Sequence, residues 1–160
     1  MNNIKVKNPL SADVKLSSVN QLKPLVATFQ DLFIESKMAH WNIRGLDFLP
    51  VHRMFDEVVD SAEGWADRLA ERIGALGYAN TATKEDLCKL SLLPPNNLQL
   101  DNSAAYIEYI GNCLAVCSAS LSDAISEVDK AEDEGTLNAL QDMVEEVDKM
   151  LWFVSSHIKM

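Results

Sequence analysis

The chain has 160 residues, enough to fill one hydrophobic core and too few to divide comfortably into two. Hydrophobic residues make up 48% and charged residues 24%, an ordinary balance for a globular domain in water, and no long apolar run reads as a membrane span. The formal net charge of −10 repels phosphate backbones and attracts cations; it argues against general nucleic-acid binding and suits either plain solubility or the gathering of metal ions.

The N-terminus, Met1-Asn2-Asn3-Ile4-Lys5-Val6-Lys7, lacks the apolar stretch of a signal peptide, so a cytoplasmic location is expected. Residues 1–16 show no periodicity and carry Lys5, Lys7 and Lys15 against Asp13, which reads as a short arm before a single domain over 17–160. From about Ser17 to Asn42, Leu22, Leu25, Val26, Phe29, Leu32 and Phe33 recur at helical spacing, with Gly45 as the stop signal. A second helix is predicted from near Pro50, with Phe55, Val58, Val59, Ala62, Ala66, Leu69, Ala70 and Ile73 as its apolar stripe and Gly77 closing it. Between Tyr78 and Asn102 the pattern breaks at Pro94-Pro95 and Asn96-Asn97, and Thr83-Lys84-Glu85-Asp86 predicts one short capped helix through Cys88 or Leu90. A third long helix starts after Asp101 or Ser103 and buries Ile107, Ile110, Leu114, Cys117, Leu121, Ile125 and Val128. Gly135 is read as an interruption and Thr136 as the N-cap of a fourth, which carries Leu137, Leu140, Val144, Val147, Leu151, Val154 and Ile158. Four long amphipathic helices with a short extra helix in a long middle connection define an all-α, four-helix-bundle fold. The cysteines, Cys88, Cys113 and Cys117, contain no CxxC and read as inert packing.

The second helix has another stripe. His52, Asp56, Glu63, Asp67 and Glu71 fall within about 100° of arc. Aligned carboxylates repel one another by a few tenths of a kcal/mol per pair, and a solvated acidic face is one reading of them. The spacing supports another. His52 and Asp56 are an i,i+4 pair, as are Asp67 and Glu71, so each pair can converge on one ion. Asp56 and Asp67 are separated by about 16 Å of helix, whereas a metal–ligand bond is only about 2 Å long. One chain cannot close both pairs round one centre. Two antiparallel copies about a two-fold axis near residues 61 to 62 can, and an isologous contact then makes two identical sites. His40, at the end of the first helix beside the turn leading to His52, supplies a further nitrogen; His157 is expected to be exposed. Carboxylates with two imidazoles and no thiolate suit Fe(II), with Mn, Co and Zn as competitors. No E-x-x-H occurs, so the di-iron site of an ordinary four-helix bundle is excluded.

His40-Trp41-Asn42-Ile43-Arg44-Gly45, then Phe48, His52, Phe55-Asp56 and Asp67-(3)-Glu71-Arg72-Ile73-(2)-Leu76-Gly77, resemble the signature of the Dps family (DNA-binding proteins from starved cells), a ferritin-like group. Asp148-Lys149-Met150-Leu151-Trp152-Phe153 resembles that family's last helix. The resemblance implies a hollow homododecamer with ferroxidase sites at two-fold interfaces, His40, His52 and Asp56 coming from one subunit and Asp67 and Glu71 from its partner. It also implies oxidation of Fe(II), with hydrogen peroxide preferred to dioxygen, and storage of the ferric product. Trp41 and Trp152 match tryptophans near the family's site, where an indole can intercept radicals; large core or interface anchors are the alternative. Lys37 resembles a lysine placed behind the ligands, or is a plain surface residue. Asp133 and Asp148 match acids near the family's three-fold pores, and Asn138 replaces an acid some members have there. Binding to DNA is expected to be weak or absent, since the arm is short. The competing readings are a nucleoid-packing protein with incidental metal binding, and a structural assembly whose site has lost catalysis.

Overall fold

A computed structural model describes residues 5–80, 83–97 and 103–158. Within them lie five helices and no strand: α1 (Ala12–Asn42), α2 (Phe48–Ala75), α3 (Lys84–Leu90), α4 (Ser103–Lys130) and α5 (Glu134–Ser155). Residues 1–4 of the predicted arm and Asp101, one of the two start signals weighed for the third long helix, lie outside the described residues. No described helix is long and apolar enough to cross a membrane.

α1 packs chiefly on α2 and α5 on α4, with α1 and α4 joining the two pairs. Hydrogen bonds fix the directions. Ser103 at the start of α4 exchanges two bonds with the backbone of Arg44 just past α1, so α4 runs antiparallel to α1. Ser18 near the start of α1 donates to Asp133 before α5 at 2.8 Å, which returns α5 alongside. This is the ferritin-like bundle, with α3 in its long crossover. α3 is set against α1, and the chain behind it is clipped there: Ser91 Oγ donates to Asp31 at 2.5 Å and Asn96 Nδ2 to Glu35 at 2.6 Å. The core is formed by the predicted stripes, with Phe29, Phe55, Leu22, Leu69, Ile110 and Leu114 all fully buried. Each such side chain contributes roughly 1.5–3 kcal/mol through removal from water.

Local signals account for most ends. Gly77 has φ +90°, and the bonds Gly77 N to Gly74 O at 2.9 Å and Tyr78 N to Ile73 O at 3.2 Å close α2 in a Schellman motif. Thr83 and Asp86 form a reciprocal capping box on α3. Boundaries differ from expectation at the start of α1 and at both ends of α5, which stops at Ser155 and leaves Ile158, expected on its apolar stripe, beyond the helix and exposed. α1 begins at Ala12, capped by Ser11, so Lys15 belongs to the helix and its ammonium donates to Asn8 O at 2.7 Å. The arm is correspondingly shorter than 16 residues. α5 is capped by Asp133 rather than Thr136, which is its third residue. The break before it is made by Glu132 at φ +60°, while Gly135 lies inside the helix.

Asp133 was expected at a pore. It is instead 1% exposed, and its oxygens accept from Ser18 Oγ, Thr136 N, Thr136 Oγ1 and Arg72 Nη2. A carboxylate so enclosed does not line a water-filled passage. Burial pushes its pKa up, but the Thr136 and Ser18 hydroxyls, the Thr136 amide and the Arg72 guanidinium outweigh that and hold it below the ordinary 3.8. A depressed carboxyl stabilises the fold fully above its unfolded pKa, and that stability is lost as pH falls through the folded value. Below about pH 4, therefore, the thermal midpoint of the native chain should fall more steeply with pH than that of Asp133→Asn, which starts lower near neutrality; parallel curves in scanning calorimetry would refute this.

Candidate metal centre

The last turn of α1 and the first turns of α2 are brought face to face by a turn of five residues, in which Gly45 takes φ +109° and Ile43 is buried. His40 and His52 stack across it, ring centroids 3.7 Å apart and planes 24° from parallel. Phe48 lies against His52 at 4.8 Å. The contact is reciprocal: His40 Nδ1 is 3.0 Å from the His52 carbonyl, and His52 Nδ1 is 3.0 Å from the His40 carbonyl. A carbonyl only accepts, so in the neutral ring each Nδ1 carries the proton and each Nε2 keeps the lone pair that a metal ion requires.

Asp56 follows one turn after His52. Its Oδ1 is 3.2 Å from His40 Nδ1 and 3.1 Å from Lys37 Nζ. Among the described residues, His40, His52 and Asp56 form the one group of three with ligand atoms mutually within 4.8 Å. An ion bonded at about 2.1 Å keeps its ligands within roughly 4.2 Å of each other, so small rotations would close the group on one. Lys37 thus touches the cluster through its ion pair with Asp56, both side chains partly exposed.

Asp67 and Glu71 do not join this group. Both are exposed, farther along α2, and Asp67 borders a cleft of about 460 Å³ whose lining includes Phe33, Ile34, Ala66 and Leu87. Trp41 and Trp152 are 63% and 65% exposed, which rules out the core-anchor alternative. Asp148 is exposed and accepts from Ser118 Oγ; Asn138 and His157 are exposed as well. Of the cysteines, Cys113 and Cys117 are buried as expected, but Cys88 is exposed.

Two arrangements went unread in the sequence. Trp65 is the buried tryptophan, donating Nε1–H to Glu146 Oε2 at 2.7 Å, with Arg68 on the other oxygen at 3.0 Å; the only signal was its place among the apolar residues of α2. Arg72 donates to Thr136 Oγ1 at 2.8 Å and to Asp133 at 2.7 Å, and its signal was an Asp-x-x-Thr cap at the start of α5.

A four-helix bundle with two histidines and one carboxylate gathered where its first two helices meet is a ferritin-like arrangement, and the Ferritin family model, a ferritin-like domain, matches residues 19–160. A DNA protection during starvation protein of Mycolicibacterium smegmatis is 30% identical over 156 residues, covering 94% of this chain and 82% of that protein. One of Agrobacterium fabrum is 28% identical and covers 97% and 96%. The chain belongs to the Dps family. Among solved structures, DpsC from Streptomyces coelicolor superposes with a TM-score of 0.92 at 20% identity, over 99% of this chain and 94% of that one. Dps from Microbacterium arborescens in the high iron form gives 0.81 at 28%, over 95% and 97%.

Because Lys37 shares Asp56 with the histidines, Lys37→Met should tighten Co(II) binding at the cluster by up to about 5-fold, the worth of one partly exposed ion pair. Calorimetric titration checks this; unchanged or weaker binding would mean that the ammonium does not compete with the ion.

Proposed function

We propose that the chain takes up Fe(II), oxidises it at sites shared by two subunits, with hydrogen peroxide in preference to dioxygen, and stores the ferric product inside a hollow cytoplasmic dodecamer, so protecting DNA. The observation that carries the reading is the His40–His52–Asp56 cluster: two imidazoles and one carboxylate, an incomplete ligand set, with the missing carboxylates held out of reach on the same rigid helix. About 16 Å separates Asp56 from Asp67 along α2, so Asp67 and Glu71 serve the cluster of a partner. The names of the relatives support its iron and DNA-protection parts, one being described in a high iron form and others as DNA protection during starvation proteins.

In this reading the reciprocal carbonyl contacts occupy each Nδ1 and leave each Nε2 lone pair for the ion, and Asp56 adds a charged oxygen. The partner's carboxylates neutralise further charge, and the longer Glu71 reaches across to a second Fe(II). Two ferrous ions side by side each give one electron to one peroxide, which with two protons leaves as two waters. Paired transfer avoids the single-electron cleavage that releases hydroxyl radical. Trp41 and Trp152, exposed on the single chain, suit the rim of such a shared site.

Subunit mixing tests the shared site. His52→Ala/Asp56→Ala and Asp67→Ala/Glu71→Ala chains should each be inactive alone. Assembled together, they should regain peroxide-dependent ferric absorbance at the interfaces that pair one intact half with the other. Well-mixed assemblies without any recovery would refute it.

For DNA, the net charge of −10, with Lys15 tied into α1, predicts no retardation of plasmid at about 150 mM salt and neutral pH, because phosphate contacts weaken steeply with salt. A clear gel shift under those conditions would favour the nucleoid-packing reading instead.

A further inference from the structure

Arg72 directly follows Glu71, so the two side chains leave α2 about 100° apart, and what fixes the direction of one constrains the other. The Arg72 side chain is 23% exposed and is held on two sides. Along one edge, Nε donates to Thr136 Oγ1 at 2.8 Å and Nη2 to Asp133 Oδ1 at 2.7 Å. The acceptor is itself fixed, since Asp133 also takes hydrogen bonds from Ser18 on α1 and from Thr136 on α5. The other side is Gly135. A Cβ there would stand 2.9 Å from Arg72 Nη2, 3.3 Å from Cζ and 3.4 Å from Nη1. Glycine is the poorest helix former after proline, yet it occupies the first turn of α5 at the point where the guanidinium lies against the backbone. Capping α5 does not require that contact, for Asp133 accepts from Thr136 N whether or not Arg72 is present. α2 and α5 otherwise meet at few places, the other polar tie being Trp65 and Arg68 on Glu146, one to two turns before Arg72.

We propose that Arg72 is a positioning residue: its seat on Asp133, Thr136 and Gly135 sets the roll of the last turns of α2. It thereby sets where the Asp67 and Glu71 carboxylates stand when they meet the cluster of a second subunit. This rests on the proposal that those carboxylates complete the shared site. A roll of about 10° moves a group some 6 Å from the helix axis by ~1 Å, several times the ~0.2 Å tolerance of a metal–ligand distance.

Co(II) titration of the assembled protein, followed by calorimetry and by the visible absorption of the bound ion, tests it. Gly135→Ala pushes the guanidinium off its seat while favouring the helix; Arg72→Lys keeps the charge and loses the fork. Both should weaken Co(II) binding by at least about 10-fold, as loss of an outer support of a metal ligand does, and alter the absorption band. Assembly size should match wild type and Tm should lie within about 4 °C of it, the shift expected from ~1 kcal/mol or less. Wild-type affinity in both variants would overturn the inference. So would a loss of affinity seen only together with a larger fall in Tm, which would mark the cradle as merely structural. Asp67→Ala and Glu71→Ala are titrated alongside: if they too bind like wild type, the shared-site reading has failed first and carries this one with it.

Discussion

A straight α-helix advances about 1.5 Å per residue and cannot fold back on itself, and that constraint, acting on α2, governs the molecule's chemistry. One face of α2 is buried in the core through Val51, Phe55, Val58, Ala62, Leu69 and Ile73. The carboxylates occupy the side left open. Their mutual repulsion costs a few tenths of a kcal/mol per pair, which is small beside the burial on the opposite face. The helix therefore holds as a rigid rod whose polar residues stay as far apart as their sequence separation dictates.

Rigidity matters because α2 is tied at both ends by polar contacts of different kinds. At its start, the stacked histidines exchange contacts with each other's backbone, so the side chains that would bind an ion also lock the turn between the helices. At its end, Arg72 joins α2 to the first turn of α5 and, through Asp133 and Ser18, to the start of α1. A buried ion pair of this sort adds little net stability over an apolar replacement. What it does give is direction, because a guanidinium accepts few geometries. The two halves of the polar stripe thus lie close to the polar contacts at the two ends of the helix.

Much of this was legible in the residues. Helical periodicity reported packing directly, and the stripes of α2, α4 and α5 supply the core, apart from Ile158, which lies exposed beyond the end of α5. The split of the ligand pairs along one helix followed from spacing alone, and the structure gathers His40, His52 and Asp56 without Asp67 or Glu71. The start of α5 was misread because a glycine between two periodic segments looks like a break. Here Gly135 is helical, and the break falls on Glu132, a residue with no special preference for positive φ. Asp133 was misplaced for a related reason: an acid near a helix start looks the same in sequence whether it faces solvent or three buried donors. The reciprocal histidine contacts left no sequence signal, since they depend on two helices meeting at one particular distance.

The core cysteines bear on how such a protein endures an oxidant. Only the thiolate reacts readily with peroxide. Burial pushes the Cys113 thiol up to about 12 and that of Cys117 higher still, so both remain protonated and sealed among apolar neighbours. Sulfur can then serve as compact packing inside the bundle, Cys113 beside the Tyr109 hydroxyl, without entering the oxidation ladder that begins at sulfenic acid. Cys88, on the exposed α3, is the one of the three that solvent reaches, and any lasting chemical record of oxidant exposure on cysteine would be written there, outside the hydrophobic interior.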